Sequence, residues 1–352
     1  MARPMSRRQL EKFAESLEPE IRREFLAAFA GVRNEANVAL LSELIAAGRI
    51  DAIADALGLV PARFAGLTEA VRAAFLRAGL QTAAEMPVLF SDPTALVGRP
   101  VGRMALRFRF DIRAPGAERW VAERSSKLVT EIIADQRRAI RQTLTAGMQA
   151  GRGPRQTALD VVGRVAIGGR RSGGTLGLTT QQAAFVSNAR GELQSLNAAY
   201  FRRSLRDKRF DSTIRKAIQS GKPLTDAQID RIIGRYSDSM LRYRGEVVAR
   251  TEALTALHAA RHESYAQAIE AGDLLPENVT VTWGATGDAR TRDSHADMDR
   301  QVVTFGQPFQ TPSGARMRFP GDTELGAGPE ETIQCRCSAT YRISYANEAN
   351  RG

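Results

Sequence analysis

The chain has 352 residues, 50 Lys plus Arg against 39 Asp plus Glu, a formal net charge of +11 and 43% apolar residues. That length suits two or three domains whose cores need no staple, and a 25% charged fraction excludes wholesale disorder. No run approaches the roughly 18 apolar residues of a membrane span. The first thirty residues lack the apolar stretch of a secretory signal, so the chain is expected to start in the cytoplasm of the cell that makes it.

Residues 6–86 read as short helices, with Leu10, Phe13, Leu17, Ile21 and Phe25 on one face. Residues 91–117 hold Pro93, Pro100, Pro115 and several glycines and read as a connector, in which Met104, Leu106, Phe108, Phe110 and Ile112 alternate as one strand would. From Glu118 to about Ala150 nothing breaks a helix before Gly147, which predicts a rod of about 45 Å with Leu128, Val129, Ile132, Ile133, Ile140 and Leu144 as its apolar stripe. GGRRSGGTLG at 168–177 lacks the GK[ST] ending of a phosphate loop and reads as a flexible linker or mobile hairpin. Thr179 with Gln182 caps a helix expected over 180–206, Thr225 with Gln228 caps another through Arg235, and a third is expected over 237–271. After Pro276 the β-type runs 279–283, 301–305, 316–319 and 337–343 alternate with Gly, Pro, Asp and Ser. The fold class expected is α+β: an extended, mainly helical N-terminal and middle part, then a small α+β module with an antiparallel sheet.

Charge is unevenly spread. Residues 276–352 are net −2 and residues 1–275 net +13, with only five lysines in the chain. Three basic clusters stand out: Arg99, Arg103, Arg107, Arg109 and Arg113; Arg137, Arg138, Arg141, Arg152 and Arg155; and Arg202, Arg203, Arg206, Lys208 and Arg209. Such clusters can neutralise phosphates without reading sequence, although each also fits a solvated helix face or the Arg-rich usage of a GC-rich genome. The first and third are the candidate DNA contacts.

Rare residues concentrate between Arg250 and Cys337. They are Arg250-Thr251-Glu252; Trp283; Asp288, Arg290, Thr291, Arg292 and His295; Asp299; Pro308-Phe309; and Cys335-Arg336-Cys337. The two cysteines are one residue apart, which excludes a disulfide framework. This ordered set resembles the phage Mu F-like minor head, or head morphogenesis, family. Two positions depart from the family pattern: Arg300 stands where glycine follows the aspartate, which bears on a tight turn, and Gln334 stands where asparagine precedes the cysteine pair. The organisation expected is a helical N-terminal region at 1–90, a connector at 91–117, a helical middle domain at 118–236, the Mu F-like α+β module at 237–345 and a tail at 346–352.

Three readings of the constellation stand side by side. The first is structural: Arg250, Thr251, Glu252, Trp283, Asp288, Arg290, Arg292, His295 and Asp299 form a buried Arg–carboxylate network joining helix to sheet, because buried charges must be paired. The second is a zinc site of His295, Cys335 and Cys337, with Asp288 or Asp299 as a fourth ligand, or a contribution from His258 and His262, which otherwise read as a solvated helix face. The third is a phosphodiester-cleaving site of His295, Arg290, Arg292 and Asp299, the nuclease or toxin-like alternative. A sequence-specific DNA regulator is disfavoured, because no compact helix-turn-helix pattern is present.

The resemblance implies a virion protein of low copy number rather than an enzyme, with no resident cofactor. Its implied partners are the portal protein, the major capsid or scaffold protein, packaged double-stranded DNA bound without sequence preference, and further copies of itself. It implies a role in head assembly and in DNA packaging or ejection, with no membrane association.

Overall fold

The computed structural model describes residues 5–86, 89–91, 104–106, 108–166 and 168–344. In chain order the helices are α1 (Arg7–Glu35), α2 (Val38–Ala46), α3 (Ile50–Ala56), α4 (Ala65–Glu85), α5 (Pro115–Gln149), α6 (Pro154–Val162), α7 (Thr180–Gln194), α8 (Asp211–Ser220), α9 (Asp226–Glu270), α10 (Asp293–Asp297) and α11 (Pro329–Thr332). The strands are β1 (Leu89–Ser91), β2 (Met104–Leu106), β3 (Arg164–Val165), β4 (Arg171–Ser172), β5 (Val279–Gly284), β6 (Val302–Thr304), β7 (Phe309–Gln310), β8 (Arg316–Met317) and β9 (Ser338–Ile343). This is the expected α+β class, with the sheet at the C-terminal end. Among the described residues no helix is long and apolar enough to cross a membrane.

Several elements differ from the sequence reading. The short helices expected at the start are instead led by the 29-residue α1, which runs through Pro19. Leu10, Ala14, Leu17, Ile21, Phe25, Phe29 and Val32 are all buried, so one stripe continues across the proline and its burial outweighs the lost hydrogen bond. The helices expected at 225–235 and 237–271 are one 45-residue helix, α9. Ser237 does not break it, because its hydroxyl donates to the Gly174 carbonyl instead of competing for the helix's own groups. The helix expected to reach residue 206 stops at Gln194 and leaves through Leu196 at φ 53°. The strand expected through Ile112 is confined to β2, while Phe110 turns inward beside Phe75 (ring centroids 5.8 Å).

Contacts divide the chain into two compact units, each assembled from separated segments. One comprises Arg22–Thr68 and Ser126–Glu246. Here α2 packs on α6, and Arg152, Arg164 and Arg190 share the carboxylates of Asp160 and Asp230. The segment after the β3–β4 hairpin is not the flexible linker expected. Thr175, Leu176, Gly177 and Leu178 are buried, and Gly177 N–H donates to Gln136 Oε1 at 2.6 Å. Its glycines serve close backbone approach: a Cβ on Gly174 (φ 76°) would sit 2.3 Å from Gly163 N, and one on Gly173 (φ 72°) 2.7 Å from Gly234 Cα.

The other unit comprises Met1–Ile21, Glu69–Ser125 and Val247–Gly352. Its sheet is antiparallel, in the order β6-β5-β9, with Val281 opposite both Val303 and Tyr341. Val279, Val281 and Trp283 alternate inward as the period of two requires. The second half of α9 lies on this sheet: Tyr265 stacks on Tyr341 (4.5 Å) and His262 on Phe305 (4.6 Å).

Candidate metal centre

The Arg250-Thr251-Glu252 triplet ties α9 to three different elements. Arg250 approaches Glu18 of α1 at 3.6 Å. Thr251 Oγ1 accepts the backbone N–H of Gln334 at 3.2 Å. Glu252, 3% exposed, accepts both arms of Arg124 on α5 at 2.7 and 2.5 Å. The buried Arg–carboxylate pair therefore exists, but it joins helix to helix. Its arginine, Arg124, comes from outside the motif and carries no signal that marks it in the sequence.

The Asp288–His295 segment folds as a turn into α10. Asp288 accepts Arg290 N–H at 3.0 Å and both arms of Arg336 at 2.8 and 2.6 Å. The Arg336 guanidinium holds the Asp288 carboxyl well below the usual carboxylate range. Arg290 is exposed, and Arg292 donates to the Ile333 carbonyl at 2.5 Å. Asp299 Oδ1 accepts Ala285 N–H at 2.8 Å. The expected network is thus a set of separate local clamps, not one buried cluster. The four residues of the phosphodiesterase reading do not converge, since His295 is 1% exposed while Arg290 faces solvent.

What the fold does bring together is His295 with both cysteines. His295 Nδ1 lies 3.5 Å from Cys335 Sγ and 3.4 Å from Cys337 Sγ, and all three residues are buried. On the other edge of the ring, Nε2 lies 3.0 Å from Glu331 Oε2, within ion-pair distance but outside hydrogen-bond angles. Glu331 is held by Ser294 Oγ–H at 2.9 Å. Trp283, fully buried, sets its ring edge-on to His295 (5.4 Å) and leaves its indole N–H without a hydrogen-bond partner among the described residues. The two thiols are driven apart: the Cys335 thiol favours the Cys337 thiolate, with His295 and Trp283 adding to it against burial, while Cys335 is pushed up. Asp288 and Asp299, the expected fourth ligands, are both engaged elsewhere.

His258 and His262 are not on a solvated face. His258 is 1% exposed and donates Nε2–H to the Cys337 carbonyl at 3.1 Å; burial lowers its pKa to about 3, so the ring is neutral. It supports the cysteine pair through the backbone rather than as a ligand. Its one-turn spacing from His262 marked His258 in the sequence as a possible ligand, whereas Glu331 did not stand out: the short α11 that carries it is defined only by where Pro329 starts it.

The basic clusters are placed as follows. Arg99, Arg103 and Arg107 lie outside the described residues. Arg109 and Arg113 are exposed. Arg203 pairs with Glu192 (2.7 Å), Arg206 with Asp211 (3.0 Å) and Arg209 with Asp207 (2.6 Å), while Arg202 and Lys208 are exposed. In the remaining cluster, Arg137 and Arg141 pair with Asp55 and Asp51. A cleft of about 580 Å³ is lined by four motif arginines, Arg250, Arg290, Arg292 and Arg336, with Glu330 as its acidic residue.

Comparison with known proteins agrees with the motifs. A 130-residue stretch is 29% identical to the uncharacterized protein YqbB of Bacillus subtilis (strain 168), a match covering 36% of this chain and 39% of that one. No solved structure matches. The family model described as Phage Mu protein F like protein matches residues 208–340, the part in which the triplet, the tryptophan strand, the histidine turn and the cysteine pair lie.

Proposed function

We propose that this is a phage head morphogenesis protein, a minor structural component of the virion that sits at the portal vertex and acts in head assembly and DNA packaging or ejection. The Mu F-like match over residues 208–340 carries the reading. The site geometry supports a structural rather than a catalytic role. The motif residues are used as clamps between α9, α1, α5 and the sheet, and His295 is enclosed by sulfur and carboxylate groups instead of facing a substrate cleft.

The four-arginine cleft offers a polyanion its exposed Arg290, its other arginines being engaged by Glu18, Asp288 and the Ile333 carbonyl, with Arg109, Arg113, Arg202 and Lys208 as further exposed cations. DNA contacts there are electrostatic and sequence-independent. Portal protein and capsid or scaffold protein are the expected protein partners.

The deciding experiment is a pull-down of the full chain with the portal protein encoded beside it, at low and high salt, alongside filter binding to random duplex DNA. Portal capture that survives high salt, with DNA binding that weakens steeply as salt rises, supports the reading. Failure to bind portal or procapsid refutes the docking role. A preference for one duplex sequence refutes the packaging role.

A further inference from the structure

We propose that His295, Cys335 and Cys337 hold one zinc ion, with Glu331 and Trp283 as its supporting groups. With Zn–S near 2.3 Å and Zn–N at about 2.0–2.1 Å, a tetrahedral angle puts the nitrogen and sulfur about 3.6 Å apart. The two Nδ1–Sγ separations here are 3.5 and 3.4 Å, and the three donor atoms all lie within 4.8 Å of one another. The sulfurs approach the same ring nitrogen from a segment forty residues away in sequence.

The groups around the donors point the same way. A metal-bound imidazole almost always directs its second nitrogen at a carboxylate or carbonyl, which fixes the tautomer and raises ligand basicity. Glu331 Oε2 is 3.0 Å from His295 Nε2. Because the two ring nitrogens lie on different edges, Glu331 faces Nε2 at ion-pair distance while Nδ1 stays directed at the two sulfurs and open to the metal. The buried Trp283 N–H has no hydrogen-bond partner among the described residues, and a metal-bound thiolate at Cys337 supplies the acceptor it lacks. The backbone of the pair is fixed independently of any ion, through Thr251 on Gln334 N–H and His258 on the Cys337 carbonyl. Thiolate and imidazole donors at tetrahedral spacing select zinc over magnesium or calcium. Zinc takes both sulfurs as thiolates, so any remaining thiol proton is released on binding, and the fourth position takes water. The ion ties α10 to the start of β9, which makes it a structural staple of the module.

The test is zinc content of the full chain, purified reduced and without chelator. One zinc per chain is expected, with loss in the Cys335→Ser/Cys337→Ser variant. Cobalt loaded in its place shows thiolate-to-cobalt charge transfer in the wild type. Glu331→Gln keeps the stoichiometry while its zinc affinity falls about 10- to 100-fold in chelator competition. That variant and the wild-type cobalt spectrum decide the matter even where the double serine variant fails to fold. A wild-type chain that takes up no zinc with both thiols reduced overturns the proposal. So does zinc content unchanged by the serine substitutions, or a Cys335–Cys337 disulfide as the state recovered from cells.

Discussion

Arg300→Gly is expected to stabilise the module, although it removes a charged side chain. Arg300 sits at φ 65°, a left-handed conformation that disfavours any residue with a Cβ by about 1–2 kcal/mol. The position is held there because its N–H donates to Trp283 O at 2.9 Å, and Trp283 N–H donates to Gln301 O at 2.9 Å, closing the turn against β5. The side chain is 92% exposed, and its contact with Asp299, at 3.6 Å, is an exposed pair worth little. Glycine relieves the strain but adds chain entropy to the unfolded state, an opposing effect of about 0.4–1 kcal/mol. The net expected gain is roughly 0.5–1 kcal/mol. Both tryptophans, Trp120 and Trp283, lie in the unit that holds Arg300, so urea denaturation followed by tryptophan fluorescence reads the relevant transition. The midpoint should rise with an unchanged slope, whereas Arg300→Ala, which keeps the Cβ, should bring no gain. Equal effects from glycine and alanine, or a loss with glycine, would refute the argument that backbone conformation explains the family's glycine.

Gln334, at φ 56°, is the second departure from the family pattern, and Gln334→Asn should gain a few tenths of a kcal/mol in the same assay, because asparagine tolerates this conformation better. Arg124→Ala leaves the Glu252 carboxylate buried without its bidentate partner and should cost about 3–5 kcal/mol, while Arg124→Met with Glu252→Leu should be near neutral; a single-variant loss under about 1 kcal/mol would sink this account. Gly174→Ala should lower the calorimetric unfolding temperature of its own unit, by at least about 2 kcal/mol in stability, because the added methyl meets the Gly163 backbone in a strained conformation. For His258 the folded pKa, about 3, lies below the ordinary 6.5, so between those values the unfolded chain binds a proton the folded chain does not. Stability therefore falls as pH drops below 6.5, by roughly 1 kcal/mol per unit from this residue, and His258→Gln should flatten that dependence. An unchanged slope would show that the ring is not buried neutral.

The class and the two capped helix starts were legible in the sequence. Thr179 with Gln182 and Thr225 with Gln228 cap α7 and α9 as expected, because a capping box is a local arrangement of four residues. Alternation at 279–283 and 337–343 likewise located β5 and β9, since one buried face imposes a period of two. The ordered motifs carried the family resemblance. What lies between distant segments could not be read this way. Pro19 and Ser237 look like breaks, and only the stripe and the Gly174 carbonyl that engage them keep α1 and α9 continuous. The 168–177 glycines look like slack, and only the opposing backbones of Gly163 and Gly234 turn them into close contacts. The arginine for Glu252, the carboxylate for His295 and the two left-handed positions at Arg300 and Gln334 were set by tertiary packing, because a partner's identity depends on which segment arrives beside it and not on spacing along the chain.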